Sequence, residues 1–293
     1  MKASAEVFKV SEQIASSAFK PRKADSRKGE NGVVGVVGGS SLYHGAPTLT
    51  ALAALRSGVD LVFLCVPRAI AISVRAISPN LIVIPLPDSK MTIGNANKLL
   101  KWLPKVHALA MGPGMGRQKT DGMIRIVNEV TSDGVKILLD ADALHKEVVA
   151  RVRERPAVIT PHPGEFARVF GVELGSDAEK RAEAVKQAAS ESKVTILLKG
   201  RIDVISDGSR VALNHKPVIT AAMTVGGTGD VLSGVVAGLM AKGAEPFEAA
   251  AAGAYVNGLA GERAAQRLGM HITATDVIEE LPHVMKQFDK IAS

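Results

Sequence analysis

Short apolar runs alternate with amphipathic stretches along most of the chain. The runs are nearly continuous in Val, Ile and Leu, which is typical of parallel strands covered by helices on both faces. Strands are predicted over 33–39, 60–67, 81–86, 107–112, 136–142, 157–162 and 194–200. Helices are predicted near 47–57, 94–103, 120–131, 163–170 and 177–191. This alternation indicates an α/β protein with a central, mostly parallel sheet between two layers of helices.

The pattern changes after residue 200. Two short apolar runs flank Asp207-Gly208, a dipeptide that is typical of a hairpin turn. Helical patterns then follow over 229–242, 246–268 and from 274 onward. The middle one is rich in alanine, so we expect it to pack closely against a neighbouring helix or a second subunit.

Composition supports one large domain. Apolar residues make up 46% of the 293 residues, enough for a sizeable core. A charged leader gives way to the first strand near residue 30, so we predict an N-terminal extension over 1–30 and a domain over 31–293.

The lone cysteine, Cys65, lies in an apolar run, which excludes a disulfide framework and a thiolate-rich zinc site. With no secretory signal or membrane span in the sequence, we expect a cytoplasmic protein that does not bind membranes.

The formal net charge of +7 favours anionic ligands. A solvated basic surface explains the same excess equally well. Nucleic acid is not expected as a partner, because aromatic residues make up only 3% of the chain and stacking platforms would be scarce.

Glycine-rich or polar segments follow several predicted strands. They read GGSSLYHGAP, GPGMG, DADALH, TPHPGE and KGRIDV. Ligands of open parallel sheets bind beyond the carboxyl ends of the strands, so these loops predict a cleft at one edge of the sheet. The sequence contains neither a P-loop lysine motif nor the three-glycine spacing of a dinucleotide-binding turn.

The segment MTVGGTGDVLSG joins a glycine-rich loop to the start of a predicted helix. Free amides at a helix start bind anions, and glycines let a phosphate approach closely. Asp230 follows this loop directly. It is either an acid that favours the helix dipole or a general base that takes a proton from a hydroxyl being phosphorylated.

The loop resembles the anion-hole and catalytic-base motif of the ribokinase-like superfamily. Together with GPGMG, LDADAL, TPHPGEFARVFG and LLKGRIDVI, in this order, the chain from about Lys23 resembles the ADP- or ATP-dependent NAD(P)H-hydrate dehydratases. The resemblance implies a ribokinase-like three-layer α/β/α sandwich. Thr224-Val225 and His145 depart from the family's usual residues at their positions.

The resemblance also implies a metabolite-repair reaction. (S)-NADHX and (S)-NADPHX, which carry a hydroxyl on C6 of the nicotinamide ring, are phosphorylated there and then lose phosphate to give NADH and NADPH. ADP or ATP serves as the phosphoryl donor, and Mg²⁺ enters with its phosphates. Asp230 is implied as the base that also contacts the substrate, while Gly227 and Gly229 shape the anion hole.

The resemblance assigns further positions. Those implied to contact the nucleotide are Lys199, Gly200, Arg201, Ile202, Asp203 and Gly229. Those implied to contact the hydrated dinucleotide are Ala46, Gly114, His162 and Asp230. Glu165 is expected near the cleft, where it organises the loop or a metal-bound water.

Bland interpretations remain open for several of these residues. His162 is a ligand contact or a structural hydrogen-bonding group, and Lys199 is a phosphate partner or an ordinary lysine at a strand end. Asp140 and Asp142 form a metal pair, or Asp142 caps the next helix. No cluster has the spacing of a transition-metal site, and we assign no metal-ligating residue.

Partners follow from the same resemblance. Family members tend to be homo-oligomers, with a tetramer favoured. Relatives with two activities carry an epimerase domain before this one, and the extension over 1–30 is too short to hold it. We therefore expect cooperation with a separate NAD(P)HX epimerase.

Two other functions fit parts of the sequence. A ribokinase-like kinase of a vitamin precursor or sugar would share Asp230 and the glycine loop but would stop at the phosphorylated product. A nucleotide-binding regulatory protein would keep the fold without catalysis, against which the intact glycine loop and Asp230 argue.

Overall fold

The computed structural model describes residues 7–292, which form three layers around one large sheet. The helices are α1 Glu12–Ser17, α2 Gly45–Arg56, α3 Arg68–Ile77, α4 Ile93–Trp102, α5 Asp121–Ser132, α6 Lys146–Val149, α7 Pro163–Phe170, α8 Ala178–Ser192, α9 Thr228–Ala241, α10 Pro246–Leu268 and α11 Ala274–Met285. The strands are β1 Val7–Lys9, β2 Arg22–Lys23, β3 Val33–Val37, β4 Leu61–Pro67, β5 Ile82–Leu86, β6 Ala108–Met111, β7 Lys136–Leu139, β8 Ala157–Ile159, β9 Thr195–Leu198, β10 Ile202–Ser206, β11 Val211–His215 and β12 Ile291–Ala292.

The main sheet has ten strands in the order β1-β11-β10-β9-β8-β7-β6-β3-β4-β5. Every pairing is parallel except the two made by β10, which runs antiparallel to β9 and β11. The predicted α/β architecture, the seven parallel strands and the hairpin at Asp207-Gly208 are therefore confirmed. Strands β2 and β12 form a separate parallel pair.

Two apolar cores lie on opposite faces of the sheet. On one face α2, α9, α10 and α11 pack through small residues, such as Gly234, where an added Cβ would lie 2.2 Å from the Thr50 carbonyl oxygen. On the other face larger side chains of α5, α7 and α8 cover the strands. Alternate residues of the sheet feed the two cores, which explains why its strands are apolar throughout.

The segment before residue 30 takes part in the fold as far as the structure describes it. Strand β1 pairs in parallel with β11, and Phe19 stacks on Phe288 with ring centroids 4.6 Å apart. Residues 1–6 and Ser293 lie outside the described residues. The division of the chain at residue 30 stays a prediction.

Helix α3 was not predicted, and helix α10 was assigned another role. Helix α3 follows β4 directly, where its short apolar pattern merges with the strand before it. The alanine-rich helix α10 buries its small residues inside the chain, and a Cβ on Gly253 would lie 2.4 Å from Val236 Cγ2 of α9. Its composition therefore serves packing within one chain and gives no argument for a subunit contact.

Candidate active site

The start of α9 lies at the carboxyl end of the sheet and carries the glycine loop. Gly227 is the N-cap residue, with φ of 95°, a conformation that suits glycine. A Cβ there would lie 2.6 Å from Leu49 Cδ1 and 2.9 Å from Ala274 Cβ. The sequence therefore needs glycine at this position for both backbone conformation and close packing.

This loop presents free amides at the helix start. The Asp230 amide donates to the Gly227 carbonyl at 2.6 Å, whereas no backbone carbonyl of the described chain accepts from the Thr228 or Gly229 amides. The Thr228 hydroxyl donates to the Met223 carbonyl at 2.8 Å, which ties the loop to a 3₁₀ helix over Val218–Met223. The helix start can thus receive an anion.

A cavity of about 850 Å³, the nucleotide cavity below, opens beside this loop. Five of the six predicted nucleotide-contacting residues line it: Lys199, Gly200, Arg201, Asp203 and Gly229. His162 and the departures Thr224 and Val225 line it as well. Ile202 does not, because its side chain faces a smaller cavity on the other side of the sheet.

Lys199 occupies the centre of the charged groups. Its Nζ lies 2.8 Å from Asp140 Oδ1 and 3.8 Å from Glu165 Oε2. Burial by itself lowers the pKa of Lys199, but Asp140, Glu165 and Asp230 more than compensate and raise it above its usual value. The side chain is therefore a permanent cation beside the amides of the glycine loop.

Asp140 is buried and fully engaged. Besides Lys199, it accepts a hydrogen bond from the Ser233 hydroxyl at 2.7 Å. Ser233 lies one helical turn after Asp230, so this bond ties α9 to the loop after β7. Ser233 was not predicted from the sequence, although its spacing of three residues from Asp230 places it on the same helix face.

Asp142 does not cap a helix. Its Oδ2 accepts from the Gly116 amide at 2.8 Å and so holds the GPGMG loop in place. Within the described residues, no group of three or more His, Cys, Asp or Glu side chains is arranged to hold a metal ion. The interpretation of Asp142 as the cap of the next helix is therefore wrong. The structure favours a positioning role for this acid.

Asp230 differs from the other acids of the site. It is half-buried. Among the described residues, none donates a hydrogen bond to its carboxylate or forms an ion pair with it. Burial, the charge of Asp140 and the weaker effects of Glu165 and Asp142 raise the pKa of Asp230 to about 7, against an opposing effect of Lys199. Near neutral pH this carboxyl can exist in both protonation states.

Asp203 has the opposite environment, although it lines the same cavity. Its carboxylate accepts from Lys216 Nζ at 2.9 Å, from Asn214 Nδ2 at 3.1 Å and from the Gly200 amide at 3.0 Å. These partners satisfy it, so Asp203 shapes the β9–β10 turn rather than offering a free acceptor to a ligand.

His162 and Glu165 form a capping box at the start of α7. His162 Nδ1 accepts from the amides of Gly164 and Glu165, and Glu165 Oε2 accepts from the His162 amide at 2.8 Å. His162 is nevertheless half exposed on the cavity wall, with 56% of its side chain accessible. It therefore combines a structural role with a position where a ligand can touch it.

Ala46 and Gly114 lie together but apart from the nucleotide cavity. A Cβ on Gly114 would lie 3.2 Å from Ala46 Cβ, and Tyr43 stands beside both. Ala46 is in the first turn of α2, the helix whose Leu49 touches Gly227. The glycine loop thus lies between the nucleotide cavity and Ala46, whereas His162, another predicted substrate contact, lines the cavity itself. His145 occupies the N-cap position of α6 without a side-chain capping bond, and it lines a surface pocket elsewhere.

The chain is similar to known proteins over most of its length. The family model for NAD(P)H-hydrate dehydratase matches residues 34–283. The ADP-dependent (S)-NAD(P)H-hydrate dehydratase of Nitrosopumilus maritimus is 49% identical over 271 residues, which cover 92% of this chain and 94% of that protein. The bifunctional NAD(P)H-hydrate repair enzyme of Pyrobaculum aerophilum is 46% identical over 91% of this chain, which spans 53% of its length.

A solved structure supports the same assignment. The ADP/ATP-dependent NAD(P)H-hydrate dehydratase of Bacillus subtilis, co-crystallised with ATP and Mg²⁺, superposes with a TM-score of 0.82 at 28% identity and covers 98% of this chain and 100% of that chain. The ribokinase-like fold expected from the sequence is thereby confirmed. The chain belongs to the NAD(P)H-hydrate dehydratase family.

Proposed function

We propose that the protein restores NADH and NADPH from (S)-NADHX and (S)-NADPHX with ADP or ATP as phosphoryl donor. The observation that carries this proposal is the carboxylate of Asp230, which has a pKa near 7 and lies at the edge of the free amides of Thr228 and Gly229. It directly follows Gly229, which lines the nucleotide cavity, and lies three residues after Gly227, which packs against Leu49 of the helix that carries Ala46.

Asp230 takes the proton of the C6 hydroxyl as the oxygen attacks the terminal phosphorus. The bond from that phosphorus to the nucleotide breaks, and the amides of the glycine loop and Lys199 stabilise the charge on the transferring group. The C6–O bond then breaks with loss of the C5 proton, which releases inorganic phosphate and restores the ring double bond. A base of this kind contributes roughly 10²–10⁴ in rate.

Lys199 and its two acids account for binding of the donor. A lysine held by Asp140 and Glu165 is a fixed point charge for the terminal phosphates. Mg²⁺ prefers oxygen ligands and is commonly held by one or two carboxylates plus substrate phosphates. Both oxygens of Asp140 are taken by Lys199 and Ser233, so of the two acids Glu165 is the one that would approach such an ion, which would neutralise phosphate charge there.

Three finer features accompany this function. The protein works with a separate epimerase that converts the R form, a proposal supported by the bifunctional NAD(P)H-hydrate repair activity named for the relative from Pyrobaculum aerophilum. It acts in the cytoplasm, consistent with a single, buried cysteine. Among the helices of residues 7–292, none combines the length and apolar character needed to cross a membrane. The protein forms a homo-oligomer, in preference a tetramer. Sedimentation velocity would test this oligomeric state.

The decisive experiment is incubation with (S)-NADHX and either ADP or ATP. We expect release of inorganic phosphate together with the near-ultraviolet absorbance of the reduced nicotinamide. Accumulation of a phosphorylated substrate without that absorbance would identify a kinase, and absence of nucleotide turnover would identify a binding protein. Asp230→Asn should slow the absorbance change roughly 10²–10⁴-fold in the same assay.

A further inference from the structure

A second cavity, of about 330 Å³, lies across the sheet from the nucleotide cavity. We call it the basic pocket and define it by Arg181, Arg201, His215 and Lys216. Its wall includes Val204, which belongs to the core beneath α8, whereas the next residue, Ile205, belongs to the core beneath α10. The two cavities therefore open on opposite faces of β10. They share only Arg201 and Lys216, at the strand ends.

The basic pocket holds cations that the protein does not neutralise. Within the described residues, neither Arg181 nor Arg201 makes an ion pair or a side-chain hydrogen bond, and Arg181 Nε is buried without a partner. Lys216 is paired with Asp203 at 2.9 Å. No carboxylate is among the described side chains that line the pocket, so two guanidinium charges stand there uncompensated.

An unsatisfied buried N–H is costly, and one in a native protein calls for a partner. The guanidinium group presents its donors as a planar fork that matches the oxygens of a phosphate group. Ser176 lies on the same wall and adds a hydroxyl donor. A small anion with several acceptor oxygens would therefore complete the hydrogen bonding of this pocket.

The turn between β9 and β10 holds Arg181 in place. A Cβ on Gly200 would lie 3.3 Å from Arg181 Nη1 and 3.4 Å from Nη2, so the guanidinium group rests against the main chain. Gly200 itself lines the nucleotide cavity. The backbone of one residue thus separates the guanidinium group from the neighbouring cavity, and this fixed position favours a specific site over a mobile surface arginine.

We propose that the basic pocket binds a phosphate-type dianion through the guanidinium groups of Arg181 and Arg201. The dianion is either free inorganic phosphate or a phosphate group of a nucleotide that reaches around the strand ends past Arg201. The site stands on its own geometry and does not depend on the reaction. Only the nucleotide source rests on the proposed function.

Calorimetric titration with inorganic phosphate tests this site. We compare the wild type with Arg181→Met, which keeps the aliphatic stem, and with the matched control Arg125→Met, an exposed arginine paired with Glu129. Loss of one charged hydrogen-bonding partner should weaken phosphate binding about 10- to 100-fold in Arg181→Met, with no change in Arg125→Met. Arg201→Gln, an exposed position, serves as a second variant if Arg181→Met does not fold.

Repeating the titration with saturating ADP separates the two sources. Phosphate binding that persists identifies free phosphate as the ligand. Loss of phosphate binding, together with weaker ADP binding by Arg181→Met, identifies a nucleotide phosphate. Absence of phosphate binding to the wild type, or equal binding by the wild type and both pocket variants, would overturn the proposal, as would equal weakening in Arg125→Met. Dehydratase activity of the same wild-type preparation reports separately on the proposed function.

Discussion

Two carboxylates stand beside the nucleotide cavity in contrasting surroundings. Asp203, on β10, is 1% exposed and accepts hydrogen bonds from Lys216, Asn214 and the Gly200 amide. Asp230, at the start of α9, has no such donor among the described residues, and its pKa is raised to about 7. A satisfied acid holds structure, whereas an unsatisfied acid with a near-neutral pKa is available for chemistry. Five changes test this contrast.

Substitution at Asp230 should have the largest effect. Asp230→Asn removes the proton acceptor and leaves the glycine loop in place, so turnover should fall roughly 10²–10⁴-fold while ADP binding stays near that of the wild type. Steady-state kinetics and calorimetry measure the two quantities. Asp121→Asn, another acid in the first turn of a helix, is the control and should retain activity. Turnover close to that of the wild type in Asp230→Asn would remove the basis for the assigned role.

Substitution at Gly227 tests the backbone that places Asp230. Gly227→Ala puts a Cβ at positive φ, 2.6 Å from Leu49 Cδ1 and 2.9 Å from Ala274 Cβ, so these neighbours or the start of α9 must shift. A misplacement of this kind costs about 10²-fold in kcat/KM. Adding Leu49→Ala should restore part of the loss. Gly175→Ala, where a Cβ meets nothing within 4 Å, is the control. Unchanged kinetics in Gly227→Ala would show that the site tolerates the shift.

Substitution at Asp203 should act on stability. Asp203→Asn leaves Lys216 without its counter-charge in a mostly buried position, which should lower the free energy of unfolding by about 2–4 kcal/mol. Urea unfolding followed by circular dichroism measures the change. Asp133→Asn, at an exposed helix end, should change stability little. If Asp203→Asn unfolds like the wild type but loses all catalysis, the contrast between the two acids fails.

The pH dependence of kcat/KM should report the ionisation of Asp230. Because the carboxylate form is the base and its pKa lies near 7, kcat/KM should fall about tenfold for each pH unit below 7 and level off above it. Nucleotide binding to the free enzyme is measured over the same range to separate the two effects. A profile that stays flat down to pH 5 would contradict the raised pKa.

The smallest effect is expected on the folding stability of Asp230→Asn. There the substitution should bring a gain, whereas the changes above bring losses. The pKa of Asp230 is higher in the folded state than the ordinary value of an aspartate, so the wild type loses stability as the pH rises from about 4 to 7. Asp230→Asn does not ionise and should be more stable by about 1–2 kcal/mol above pH 7, with the gain vanishing below pH 4. Thermal melts at pH 4 and pH 8 compare the two proteins. If Asp230→Asn is less stable than the wild type at pH 8, the ionised carboxylate of Asp230 does not destabilise the folded protein.

Much of this site follows from local sequence. The order of strands and polar loops predicted the sheet and the edge at which the loops meet, and glycines before a helix predicted the anion site. These signals are local, since a strand end and a helix start are set by a few neighbouring residues. Asp230 could be singled out because it follows such a loop directly.

Roles that depend on distant partners could not be predicted in this way. Asp140 meets Lys199 and Ser233 across 59 and 93 residues of sequence, and no local pattern distinguishes an ion-paired acid from a metal ligand. Asp203 was assigned to the nucleotide by resemblance, and its bonds to Asn214 and Lys216 depend on the register of the hairpin. Strand β1 was not predicted, because it is three residues long and pairs with a strand about two hundred residues later.

That pairing has a consequence for the order in which the protein is made. Strand β11, together with β10, forms the border of the sheet that carries the nucleotide cavity, and β1 covers it in parallel register from Val7↔Val211 to Lys9↔Leu213. The amino-terminal segment leaves the ribosome early yet has to wait for the hairpin to emerge. Until then β1 has no partner strand and is open to pairing with other chains. The stage of synthesis before residues 211–213 emerge is therefore the one in which this segment is most exposed to pairing with other chains.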